Sequence, residues 1–267
     1  MKNAVNQMLL IICCSAAIFC VAVNAQTMPK PVNNLDKGNF KVGFSPITKS
    51  KNPNKVMPKE IDEILEGITQ PLNEFIALPF DVYLNFDTCG EPNAFYSRAT
   101  KEITMCYEFM STFEETFRKI SEKQVEIDDM TSGTTVFFFF HELGHCLIDV
   151  WDLPATGREE DAVDQLAILI LLDGTTEGED MVISGALFFN LFSENETKGN
   201  LPFWDEHSFN KQRFYNTLCL AYGSDPVKHK GFIGPKLLPI ERASGCQNEF
   251  KRADRAWQKL LTPYIKS

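Results

Sequence analysis

Two hydrophobic periods alternate along the first half of the chain. Ile61, Ile64, Leu65 and Ile68 recur at helical spacing, and Pro71 bends or ends the helix they predict. Phe80, Val82, Leu84 and Phe86 alternate strictly, which predicts a strand. Residues 93–96 and 103–110 are two further strand candidates around the polar turn at 97–101. Phe113, Phe117 and Ile120 then mark an amphipathic helix. Beyond residue 131 the pattern is almost wholly helical. Val136, Phe137, Phe140, Leu143, Gly144, Leu147 and Ile148 form one broad apolar surface, with Thr131 and Ser132 available as N-caps. Helices also follow around Glu160 and over residues 181–192, 203–222 and 248–261. A small antiparallel sheet followed by helices is an α+β layout.

The start of the chain reads differently. Lys2, an apolar run over residues 8–23 and Val23-Asn24-Ala25 have the layout of a signal peptide over residues 1–25. Residues 26–58, rich in Pro, Asn and Lys, predict an extended, mobile lead-in. Residues 59–267 then form a single domain, with a strand-containing part over 59–130 and a helical part over 131–267. The chain has 267 residues, 44% of them hydrophobic, enough for one sizeable core.

The chemistry concentrates in the most apolar helix. After Phe137-Phe138-Phe139-Phe140 comes His141-Glu142-Leu143-Gly144-His145. Histidines at i and i+4 share a helical face and can hold one zinc ion, with Glu142 in reach of an activated water. Buried polar groups need partners, and a metal explains three of them together. A third ligand is needed, and Glu159, Glu160 and Asp161 are the choices. One turn after Glu160 stands Asp164, able to accept the second ring N–H of a ligand histidine. One turn after Glu159 stands Val163, which offers a histidine nothing, and Asp161 has the shorter reach. Glu160 is therefore the expected ligand, Asp164 its outer partner and Glu159 idle.

His141, Glu142, His145, Glu160 and Asp164 resemble, residue by residue, the pattern of the gluzincin metallopeptidases. More closely, the chain is similar to a bacterial family of candidate metallopeptidases of unknown function. The stretches that carry this are Cys89 to Tyr96, HELGHCLID, GREEDAVDQLA, Trp204 to Ser208 and Gln212 to Asn216. The resemblance implies a zincin-like fold and one zinc per chain. It implies peptide-bond hydrolysis with Glu142 as general base and then acid. It also implies an edge strand along the cleft, for which residues 93–96 are the candidate; a plain structural hairpin is the alternative. A donor to the oxyanion is implied from a later segment, and His207, Arg213 and Tyr215 are available. A non-catalytic zinc protein of the same fold, serving as a binding or assembly module, is the competing reading. Hydrolysis of a non-peptide amide or an ester would use the same residues.

Export makes disulfides permissible. Cys89 and Cys106 flank the predicted hairpin and Cys219 and Cys246 flank a loop, so these pairs are expected, although other pairings are open. Cys146, next to a ligand on a buried helix, is expected to be a free thiol. A net charge of −10 argues against nucleic acid as partner. The expected partner is a peptide or protein substrate, met outside the cell or in the periplasm, with no stable membrane insertion once the signal is cleaved.

Overall fold

The computed structural model describes residues 35–196, 201 and 203–266; the expected signal peptide and residues 26–34 lie outside them. Four strands form one sheet: β1 (Phe40–Val42), β2 (Val82–Asp87), β3 (Ala94–Ser97) and β4 (Glu102–Cys106), in the order β1-β2-β4-β3. Eight α-helices are described: α1 (Pro46–Lys51), α2 (Lys59–Phe75), α3 (Tyr107–Phe117), α4 (Gln124–Trp151), α5 (Glu159–Leu171), α6 (Thr176–Phe192), α7 (Asn210–Ser224) and α8 (Ile240–Leu261). The layout is α+β.

The sheet is mixed, a correction to the antiparallel one expected. β1, β2 and β4 run parallel, and only β3 is antiparallel, at the edge beside β4. The chain passes β4's position, makes β3 outside it and turns back through a hairpin, so β4 returns parallel to β2. A parallel pair needs a crossover, and α2 supplies it between β1 and β2. This also corrects the lead-in: from residue 35 on, it is built into the domain. Phe40 of β1 is 2% exposed, and the Asn73 side chain on α2 bonds its N–H and C=O at 2.7 and 2.9 Å. Glu102 of β4 is buried because it accepts from the Ser45 N–H (2.6 Å) and the Thr48 hydroxyl (2.7 Å) at the start of α1.

α4 is apolar on every side, with Phe137, Phe138, Phe139 and Phe140 all buried, and a helix of that kind belongs in the middle of a molecule. It packs on α5, α6, α3 and β3. It starts two turns before the expected caps. Thr131 and Ser132 are buried within it. The Thr135 hydroxyl bonds the Thr131 carbonyl one turn back, at 2.8 Å, which is how such residues are accommodated inside helices. Other boundaries also move. α2 runs through Pro71 to Phe75. Helix replaces strand at Tyr107, where the Glu108 carboxylate accepts the Cys89 and Gly90 N–H groups at 3.1 and 2.8 Å. α7 begins only at Asn210, leaving Phe203 and Trp204 exposed in the preceding segment. Both expected disulfides, Cys89–Cys106 and Cys219–Cys246, are present, and Cys146 is a buried free thiol. Among the described residues no helix is long and apolar enough to cross a membrane.

Candidate metal centre

α4 presents His141, Glu142 and His145 on one face, and the first turn of α5 is brought against them. Gly144 allows that approach: a Cβ there would stand 2.7 Å from Val163 Cγ1. His141 Nε2 is 3.1 Å from Glu160 Oε2, and His145 Nε2 is 3.3 Å from Glu160 Oε1. One ligand atom from each of the three lies within 4.8 Å of the others. The far ring nitrogens are held separately. His141 Nδ1 meets Asp164 Oδ1 at 2.7 Å, and His145 Nδ1 meets Glu159 Oε1 at 2.8 Å. Each carboxylate selects the tautomer with the proton on Nδ1, leaving the Nε2 lone pairs facing Glu160.

The Asp164 contact is the one expected. The Glu159 contact corrects the idea that this residue is idle. Its side chain lies at the mouth of α5 and reaches sideways to His145, so what stands one turn below it is irrelevant.

Lone pairs on two imidazoles and a carboxylate cannot face one another at 3 Å without a positive charge between them. Glu160 Oε2 is buried, and no hydrogen bond of good geometry reaches it, although two ring nitrogens stand within 3.1 Å. The donor set of two imidazoles and one carboxylate fits zinc. In the metal-free chain protons take that place. Burial works against charge on His141, but Asp164 and Glu160 outweigh it and push its pKa up to about 9. Burial also favours the neutral form of Glu160, yet His141, His145 and His207 hold its carboxyl far below the usual range. Glu142 goes the other way: burial raises its pKa against the pull of the two histidines and the Tyr96 N–H.

His207 enters from the segment before α7. Its Nε2 is 3.0 Å from Glu160 Oε2 and its Nδ1 is 3.1 Å from Asp205 Oδ1, with the ring nearly parallel to that of His141. Arg213 does not reach the cleft as a free donor. Its Nε and Nη2 bond the two oxygens of Asp164 at 2.7 Å each, and its guanidinium lies 4.1 Å over Phe189. Tyr215 does not line the cavity over the cluster; it packs beside Phe214, with the Lys211 ammonium over its ring. A cavity of about 520 Å³ opens over the cluster, walled by Ala94, Phe95 and Tyr96 of β3 on one side and Arg158, Glu206 and His207 on another. Residues 93–96 therefore do border the site. Cys89, Cys106 and Glu108 also converge, but the disulfide removes the two sulfurs as ligands.

No curated protein and no solved structure matches the chain. Residues 46–261, which include every residue of this site, match one family, and the chain belongs to it: the family described as "Putative metallopeptidase".

Proposed function

We propose that the protein is a zinc-dependent endopeptidase. One observation carries this: His141, His145 and Glu160 converge while Glu142, between the two histidines, stays out of the ligand set and faces the cavity. A purely structural site needs four ligands and has no use for such a glutamate. Zinc held by the three residues supplies, when bound, a Lewis acid that polarises the scissile carbonyl and acidifies water. Glu142 takes the proton of the attacking water and returns it to the leaving amine. Its raised pKa suits a group that must both accept and release a proton. His207, fixed by Asp205 and able to carry a proton on Nε2, donates to the oxyanion as the carbonyl becomes tetrahedral.

The zincin-like reading of the fold rests on the same features. β3 is an edge strand alongside the cavity, and an edge offers unpaired backbone groups to an extended peptide. We further infer export. The layout of residues 1–25 and two disulfides both suit an oxidising compartment.

The test is incubation of the zinc-loaded protein with a diverse peptide library, read by mass spectrometry. Wild type cuts peptide bonds. Glu142→Gln keeps its zinc, by elemental analysis, and loses about 10²–10⁴-fold in rate. A wild type that cuts nothing, or a Glu142→Gln variant that cuts equally well, overturns the reading.

A further inference from the structure

A second cavity, of about 260 Å³, shares Asn93, Ala94, His141, Glu142 and His207 with the first but has a different floor. Phe109 of α3, Phe138 of α4, Phe188 and Phe192 of α6 and Phe209 before α7 line it. The rings of Phe109, Phe138, Phe188 and Phe192 form a continuous lattice. Phe109 meets Phe138 edge-on at 4.8 Å, Phe138 meets Phe188 edge-on at 5.8 Å, and Phe188 stacks on Phe192 at 5.1 Å. Phe203, 75% exposed, stands edge-on to Phe209 at 5.4 Å and extends the apolar surface outward.

Several polar groups of this cavity already have partners. Glu196 accepts from the Asn210 backbone and side chain at 2.9 and 2.7 Å, Ser208 donates to Asp161 at 2.7 Å, and Asp205 is bound to His207. Among the described residues Arg213 is the one Lys or Arg in the wall, and Asp164 occupies it. Glu142, Glu196 and Asp205 make the lining acidic apart from the rings.

We propose that this cavity is the subsite for a neutral aromatic or large aliphatic side chain of the substrate, adjacent to the bond that is cut, and that it rejects acidic side chains. The proposal rests on the peptidase reading for the words substrate and bond. The floor gives an aromatic ring edge and face partners on several sides, which apolar burial and ring geometry both reward. Among the described lining residues no unpaired Lys or Arg is there to receive a carboxylate, and an unpaired charge among the rings is costly. The volume is below the range of sites that take a whole small molecule, and matches one side chain entering from a chain laid along β3.

The test uses three hexapeptides that differ only at one central position, Phe, Ala or Asp. Each is titrated calorimetrically into the full-length zinc-loaded Glu142→Gln variant. The Phe peptide binds about tenfold tighter than the Ala peptide, and the Asp peptide no tighter than Ala. Phe192→Ala and Phe209→Ala, both at half-buried positions, each reduce the Phe advantage at least about threefold. Equal binding of the three peptides, or a Phe advantage that survives both substitutions, overturns the proposal. The two readings fail separately. If wild type cuts no peptide while the Phe peptide binds selectively, the peptidase reading falls and the subsite stands. If wild type cuts with no apolar preference beside the bond, the subsite falls and the peptidase stands.

Discussion

Glu159 and Glu160 are neighbours with different tasks. Glu160 faces both histidine Nε2 atoms, while Glu159 turns to the back of His145. Asp164 does the same for His141 and is itself held by both nitrogens of the Arg213 fork. Glu160→Ala should therefore abolish tight zinc binding, whereas Asp164→Ala and Glu159→Ala should each weaken it by about 10–100-fold. Titration against a competing chelator separates the three, and unaltered affinity in Glu159→Ala would show its contact to be incidental. Sequence exposes the members related by helical spacing, since His141 with His145 and Glu160 with Asp164 each lie one turn apart on one helix. It hides contacts between elements. Nothing within α5 says that Glu159 reaches α4, nor within α7 that Arg213 is consumed by Asp164.

At the scale of elements, the strand β3 is tied to α4 by one carboxylate. Asp149, two turns after Glu142, accepts the Tyr96 hydroxyl at 2.8 Å and the Lys101 ammonium at 2.6 Å, from the two ends of the β3–β4 turn. Arg98 in that turn lies 3.8 Å from Asp149 and 3.4 Å from Glu159. The Tyr96 N–H in turn favours the charged form of Glu142, so the clamp and Glu142 meet on the same strand residue. Asp149→Ala should lower turnover about 10–100-fold, the usual cost of misplacing reacting groups by a fraction of an ångström to an ångström. Its zinc content should be unchanged, because no ligand is touched. Zinc loss in parallel with activity would mean that the substitution disturbs α4 itself. β2 is visible as alternation and β3 and β4 as candidates around a polar turn, but β1 falls in the expected lead-in, and no strand shows its partner. Pairing direction is set by where the chain crosses, and the parallel β2–β4 pair depends on β3 folding to the outside, which no local period records.

The molecule as a whole is closed by its last described residues, which return to the end of α2. After α8, the Tyr264 carbonyl accepts the Ala77 N–H at 2.9 Å and the Lys266 N–H bonds the Phe75 carbonyl at 2.8 Å. The Tyr264 ring stacks on Trp151, the last residue of α4, with centroids 4.2 Å apart and planes 5° from parallel. This short segment therefore joins the end of α2, the end of the central helix and the end of α8. Two backbone hydrogen bonds at about 1 kcal/mol each and one stacked pair at about 0.5–1.5 kcal/mol put its contribution near 3 kcal/mol. For a domain of this size each kcal/mol moves the midpoint of thermal unfolding by about 2–4 °C, so removing residues 262–267 should lower Tm by about 6–12 °C. Among the described residues none of the site residues is on the deleted segment or bonded to it, so zinc stoichiometry at low temperature should match that of the full chain. Scanning calorimetry with and without zinc measures both. A Tm shift below about 2 °C would mean that α8, held to α7 by Cys219–Cys246, closes the molecule without the tail.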